Sequence, residues 1–268
     1  MYFCRRFFIS FMKIIEKLIE KIYPKNLNCI LCNMPISRKN KYSMCKSCFE
    51  KIIFIKNPCE KCGKAIINLS LDEEVYIEAC PYCKDKNFLF DRNISILEYG
   101  KLSKKLVFYL KYSKKTYISK IMAEMMFDSL SESNKLKMLE EVDYIIYVPL
   151  SKKRFKQRGF NQSQKLAMYF SNMVGIDCVD MLIRNKDTKK LHKLNYKRRK
   201  KELKNVFSVD KKFINRIQDK NILLIDDIFT TGTTVDEISK ILKLNGASNI
   251  ISLTFLTGKY IKDIDINI

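Results

Sequence analysis

Cysteine pairs are the most regular chemical feature of the sequence. Eight of its ten cysteines form four pairs in which two residues separate the partners. A tight turn of this kind lets two thiolates reach one metal ion, and two such turns complete a tetrahedral zinc site that leaves no position for water. The spacing predicts two structural zinc sites, while an interleaved pairing and a redox dithiol stay open as alternatives. The first site is expected from Cys29, Cys32, Cys45 and Cys48, and the second from Cys59, Cys62, Cys80 and Cys83.

A second feature is an acidic pair followed by a threonine-rich turn. The apolar stretch 222–225 leads into Asp226 and Asp227, and a helix-like segment follows the turn. A helix N-terminus offers free N–H groups and a positive dipole end to a phosphate, and carboxylates can accept hydrogen bonds from ribose hydroxyls. A helix cap alone would need only one such residue. The pattern therefore predicts a sugar-phosphate site, with a turn made of Thr230, Thr231, Gly232, Thr233 and Thr234.

Alternating strands and helices are needed to position this site. From about residue 87 the sequence predicts an α/β fold with a mostly parallel sheet and helices on both faces. Strands are expected at 94–99, 142–148, 178–183, 221–226 and 249–255, and helices at 101–112, 117–131, 161–174 and 233–245. Residues 186–204 are rich in lysine with little apolar periodicity, so a basic, mobile loop is expected there.

Three segments of the chain differ in composition. Residues 1–25 have apolar side chains at helical spacing and predict an amphipathic helix, which packs on the protein's own body or docks to a membrane surface or a partner. Residues 26–86 hold the cysteine pairs and have only short apolar runs, so metal must stabilise them. Residues 87–268 form the predicted α/β domain.

Charge and hydropathy limit the kind of partner and the cellular location that can be expected. The formal net charge of +22 indicates a polyanionic partner or substrate, although lysine is frequent throughout the chain. No apolar run is long enough to span a membrane, and no export-signal cleavage pattern follows the first residues. A cytoplasmic location is expected, with peripheral contact at the inner face of the membrane through the N-terminal helix.

Two motifs together resemble a known family. The segment 221–235 resembles the phosphoribosyl-pyrophosphate motif of type I phosphoribosyltransferases, and the segment 148–162, which ends in R-G-F-N-Q, resembles the signature of the ComF family. A double zinc ribbon ahead of a transferase-like domain is also typical of that family. The resemblance covers nearly the whole chain from about Tyr23. Ser151 stands where the family often has His, and His192 where it often has Gln.

The resemblance implies roles for particular residues. Asp226 and Asp227 would face the ribose hydroxyls, the threonine-rich turn would hold the 5-phosphate, and Mg²⁺ would accompany the pyrophosphate. The family's function implies DNA uptake in natural competence, with single-stranded DNA as a partner and a competence helicase as a further candidate partner. The pyrophosphate side would be formed by Pro149, Leu150, Ser151 and Lys152.

Two clusters of lysine and arginine, one in 152–158 and one in 189–201, favour nucleic-acid binding. They flank strands whose loops are expected to meet at the carboxyl edge of the sheet. Phe155, Phe160 and Tyr196 lie among these charges and could stack on bases. Three functions stay open: a DNA-uptake factor, an active phosphoribosyltransferase in nucleobase salvage, and a non-catalytic sensor of phosphoribosyl pyrophosphate. The predicted nucleic-acid residues are Lys152, Lys153, Arg154, Arg158, Arg198, Arg199, Lys200 and Lys201.

Overall fold

A computed structural model describes residues 28–66, 80–113, 115–188, 191 and 194–258. The chain divides into two compact units, Met1–Lys51 and Ile52–Ile268. Each unit contains one of the two predicted cysteine groups. The amphipathic helix predicted for residues 1–25 lies outside the described residues.

The second unit is built on a parallel sheet. Its strands are β1 (Arg92–Leu97), β2 (Tyr144–Tyr147), β3 (Leu182–Arg184), β4 (Phe207–Val209), β5 (Ile222–Phe229) and β6 (Ile250–Thr257). Four of them form one all-parallel sheet in the order β1-β6-β5-β2. The first four residues of β5 are all buried, so both faces of the sheet are covered, since successive side chains point to opposite faces. The predicted mostly parallel α/β fold, preceded by a cysteine module, is confirmed.

Helices cover this sheet and connect its strands. The described helices are α1 (Lys46–Phe49), α2 (Lys101–Tyr112), α3 (Ile118–Glu132), α4 (Lys152–Arg158), α5 (Gln162–Val174), α6 (Tyr196–Leu203) and α7 (Thr233–Leu244). Short 3₁₀ turns lie at Lys41–Ser43, Leu136–Leu139 and Lys211–Arg216. Helix α5 packs on β2, β5 and α3, whereas α7 packs on α6, β4 and β6. None of the described helices is long and apolar enough to cross a membrane.

Two sequence predictions about the region after α5 are wrong. The strand predicted at 178–183 does not join the parallel sheet beyond a single bridge from Cys178 to Ile145, and β3 instead pairs antiparallel with β4. The loop predicted at 186–204 contains α6. Asn195 caps this helix by accepting a hydrogen bond from the Arg198 N–H at 3.0 Å, and Leu203 anchors it in the core.

Candidate functional site

The two predicted cysteine groups each converge on a point. In both groups the four sulfur atoms lie within 4.8 Å of one another. A zinc tetrahedron with Zn–S bonds of about 2.3 Å has edges of about 3.8 Å. The Sγ–Sγ distances are 3.6 Å for Cys59–Cys83 and 3.5 Å for Cys62–Cys80 in the second group. The sequential pairing therefore fits structural zinc at both sites, and the interleaved pairing does not.

The second cysteine group lies inside the core of the sheet unit. Its four cysteines are at most 2% exposed and belong to the same apolar cluster as Phe88, Phe90 and Phe229. The Phe88 and Phe90 rings stack at 4.7 Å, and Phe229 meets Phe90 edge-on at 5.9 Å. The Asn93 side chain donates to the Cys62 carbonyl at 2.8 Å. This metal site is therefore part of the structure that supports β5.

The threonine-rich turn leads from β5 into the N-terminus of α7. Gly232 has a φ of +76°, and a Cβ at this position would lie 2.8 Å from Phe229 Cζ, so only glycine fits without strain. The hydroxyls of Thr231 and Thr233 are 2.9 Å apart and share a hydrogen bond. The free N–H groups and the positive dipole end of α7 favour an anion here.

Two side chains from distant parts of the chain hold this turn. Arg199 of α6 is 9% exposed, and its guanidinium donates to the hydroxyls of Thr230 and Thr231. Burial lowers the pKa of Arg199, although the group keeps its positive charge at neutral pH. From the other side, the Tyr82 hydroxyl donates to the Thr230 carbonyl at 3.4 Å. Tyr82 lies between Cys80 and Cys83, so the loop that carries these two cysteines contacts the turn.

The acidic pair has different partners on the two faces of β5. The Ser163 hydroxyl of α5 donates to Asp226 at 2.8 Å, and Lys111 of α2 forms an ion pair with Asp227. Burial, reinforced by the neighbouring Asp227 carboxylate, raises the pKa of Asp226 to about 7. The pair thus offers carboxylate oxygens beside the threonine-rich turn, which is an arrangement that would suit a phosphorylated sugar.

The residues predicted for the pyrophosphate side lie in the turn between β2 and α4. Pro149 and Ser151 are buried, Leu150 is half-buried and Lys152 is exposed. Ser151 caps α4 by accepting from the Arg154 N–H at 3.4 Å. A serine at this position therefore has a structural role of its own.

The predicted nucleic-acid residues fall into two environments. Arg199 turns inward to the threonine-rich turn, whereas the other seven are exposed or half-buried. Of the aromatic side chains named with them, Phe155 is exposed, while Phe160 is half-buried and Tyr196 packs partly against the core.

Three side chains reach the site without having been assigned a role from sequence. Lys111 and Ser163 contact the acidic pair, and Arg184 donates to the Pro149 carbonyl at 3.5 Å. Burial lowers the pKa of Arg184 to about 10, so it stays charged at neutral pH. Ser163 directly follows the segment 148–162, whereas Lys111 and Arg184 lie on elements outside both motif segments.

Comparisons with known proteins agree with these features. The double zinc ribbon domain family matches residues 18–85. The DNA utilization protein YhgH of Salmonella typhimurium is 29% identical over 83% of this chain and 93% of its own length. Competence protein F of Haemophilus influenzae is 28% identical over 84% of this chain and 94% of its own length. A purine phosphoribosyltransferase from Pyrococcus horikoshii overlaps with 50% of this chain and 83% of its own, at 17% identity and a TM-score of 0.30.

The similarity to these relatives extends over both parts of the chain. The zinc ribbon match covers the cysteine module, and the relatives match more than four fifths of the chain. Both parts of the chain are therefore similar to proteins of the ComF family.

Proposed function

We propose that this protein is a competence or DNA-utilisation factor that binds phosphoribosyl pyrophosphate at the carboxyl edge of its sheet and single-stranded DNA on the basic surface beside it. The names of its relatives, DNA utilization protein and competence protein F, support the role in DNA use. Structural zinc in the two cysteine groups belongs to the same proposal, and Mg²⁺ is expected to accompany the bound pyrophosphate.

The observation that carries the sugar-phosphate part is the position of the acidic pair next to an anion site. Asp226 and Asp227 lie in the last four residues of β5, and α7 begins at Thr233, four residues after the strand ends. A ribose 5-phosphate unit needs acceptors for its hydroxyls and donors for its phosphate. The carboxylates supply the acceptors, while the N–H groups of α7 and the Arg199 guanidinium supply the donors.

Calorimetric titration with phosphoribosyl pyrophosphate and Mg²⁺ tests this assignment. Asp226→Asn combined with Asp227→Asn should weaken binding at least about a hundredfold, because each lost charged hydrogen bond contributes about 1.5–3 kcal/mol. Asp143→Asn is the matched control, since Asp143 forms an ion pair with Lys220 at 2.8 Å but precedes β2 at the opposite edge of the sheet. Equal affinity in the double variant and the control would reject the pocket.

The raised pKa of Asp226 gives a pH dependence. The ionised carboxylate accepts ribose hydroxyls and the protonated form accepts them less well, so affinity should rise with pH and fall about tenfold per pH unit below the pKa of about 7. The phosphate of the ligand also titrates near pH 6. Asp226→Asn removes the protein's contribution and keeps that of the ligand, so the variant's pH profile should be flatter. Parallel profiles would contradict the role of Asp226.

Turnover distinguishes the alternative functions within this pocket. Release of pyrophosphate on addition of a nucleobase would support a salvage transferase. Tight binding without release, in the presence or absence of DNA, would support a sensor or an uptake factor. The assay uses the full chain with zinc bound.

A further inference from the structure

The exposed aromatic side chains of the described residues are concentrated on two helices. Phe108 and Tyr112 on α2 are 55% and 61% exposed, and Phe155 on α4 is 48% exposed. The other aromatic side chains in the described part of the chain are buried or half-buried. Large rings are costly on a solvated surface when they have no partner, so this concentration indicates a binding surface.

The rings of α2 form a continuous patch with the end of α4. Lys101, Lys104, Phe108 and Tyr112 recur at intervals of three and four and share the solvent face of the helix. The Phe108 and Tyr112 ring centroids are 5.0 Å apart. The Arg158 guanidinium lies 5.1 Å above the Tyr112 ring and donates to its hydroxyl at 3.4 Å. Arginine therefore already stacks on the patch from α4.

The charge of the two helices has one sign. Helix α2 carries four lysines and helix α4 carries five lysines or arginines, and neither contains an acidic residue. Alternating acids would be expected if these residues only solvated the surface. A one-sign field around exposed rings is complementary to a polyanion that also presents flat apolar groups.

The patch adjoins the sugar-phosphate site. Lys111, next to Tyr112 at the end of α2, forms the ion pair with Asp227. Helices α2 and α4 follow β1 and β2, whose carboxyl ends lie on the same edge of the sheet as that of β5. A ligand on the patch would therefore lie beside the acidic pair.

We propose that this aromatic patch, made of Phe108, Tyr112 and Arg158 with Phe155 one helical turn before Arg158, is the stacking platform for single-stranded nucleic acid. Unpaired bases stack on Phe108 and Tyr112, and the flanking lysines and arginines contact the phosphates. A duplex keeps its bases stacked on each other and offers no free ring faces. The inference rests on the proposed DNA binding and assigns it to a defined surface.

Fluorescence anisotropy with a labelled oligothymidylate, measured across a salt series, tests the platform. Phe108→Ala with Tyr112→Ala should weaken binding at least about tenfold, since stacking of one base on one ring alone accounts for roughly fivefold or more. The slope of affinity against salt should stay unchanged, because no phosphate contact is lost. Lys152→Gln with Lys153→Gln should instead flatten that slope. The control is Met168→Ala with Leu244→Ala, which removes two exposed apolar side chains from α5 and α7.

The possible outcomes distinguish a failure of the stacking platform from a failure of the proposed DNA binding. If the wild-type chain binds no oligothymidylate at low salt, the proposed DNA binding itself fails. If the wild-type chain binds and the aromatic double variant binds equally well, only the platform is overturned. If that variant loses binding to phosphatidylserine vesicles while its DNA affinity is unchanged, the patch binds a membrane. This result would also overturn the stacking platform. Selective loss for single strands, with duplex binding unaffected, supports it.

Discussion

Cys59→Ser with Cys62→Ser is expected to abolish the cooperative unfolding transition of the sheet unit, whereas Cys29→Ser with Cys32→Ser should leave that transition in place. The second cysteine group is buried within the apolar cluster that supports β5, and the first group belongs to the separate unit that ends at Lys51. Structural zinc contributes roughly 10–16 kcal/mol in small metal-binding domains. A whole domain is stable by only about 5–15 kcal/mol, so loss of the buried site should exceed the available stability.

The measurement suits the composition of this chain. It contains no tryptophan, so unfolding is followed by far-ultraviolet circular dichroism and by calorimetry, together with zinc analysis of each variant. The wild-type chain should carry two zinc ions, and each double variant one or fewer. Identical transitions in the two variants, or a wild-type transition in the one that lacks Cys59 and Cys62, would contradict the proposed structural role of the buried group.

Gly232→Ala is expected to reduce both the stability of the sheet unit and its affinity for phosphoribosyl pyrophosphate. A side chain at this position costs about 1–2 kcal/mol because φ is +76°. The new Cβ would also lie 2.8 Å from Phe229 Cζ and 3.0 Å from Phe88 Cζ, which adds about 1–3 kcal/mol of overpacking. Because relief of this contact must move the threonine-rich turn, affinity should fall at least about tenfold.

Gly175→Ala is the matched control for this variant. Gly175 has nearly the same φ, +77°, at the end of α5, and a Cβ there meets no atom within 4 Å. The control therefore has the backbone strain without the collision. Denaturant unfolding should show a larger loss for Gly232→Ala by about 1–3 kcal/mol, and calorimetry should show a loss of affinity in that variant alone. Equal losses of stability and affinity in both variants would mean that Phe88 and Phe229 do not hold the turn in place.

The candidate site residues could be picked out from sequence because they lie in short motifs. The cysteine pairs, the acidic pair and the threonine-rich turn each occupy neighbouring positions, and the strands around them have continuous apolar runs. The structure places these motifs on the predicted elements. What could not be predicted is which distant side chains contact them, since Lys111 and Ser163 lie on two helices far apart in sequence and meet the acids only in the folded chain.

Helix α6 shows why one element was missed. Its inward positions include Arg199 and Leu203, which are four residues apart as a buried stripe requires. One of the two is an arginine, so a search for apolar periodicity finds almost nothing. The residue is inward because the threonine hydroxyls accept its N–H groups. The contact of Arg199 with the threonine hydroxyls takes the place of an apolar contact. The apolar periodicity of a helix is therefore absent, and the sequence pattern indicated a loop.

The order of strands in the sheet has a consequence for how the protein is made. Strand β6, from the carboxyl-terminal part of the chain, lies between β1 and β5. A ribosome must therefore synthesise nearly the whole sequence before β1 can pair with its neighbour in the sheet, and such distant pairing forms slowly. All cysteines of the two groups precede β1 and emerge first. During translation, metal capture can thus begin while the sheet is still incomplete.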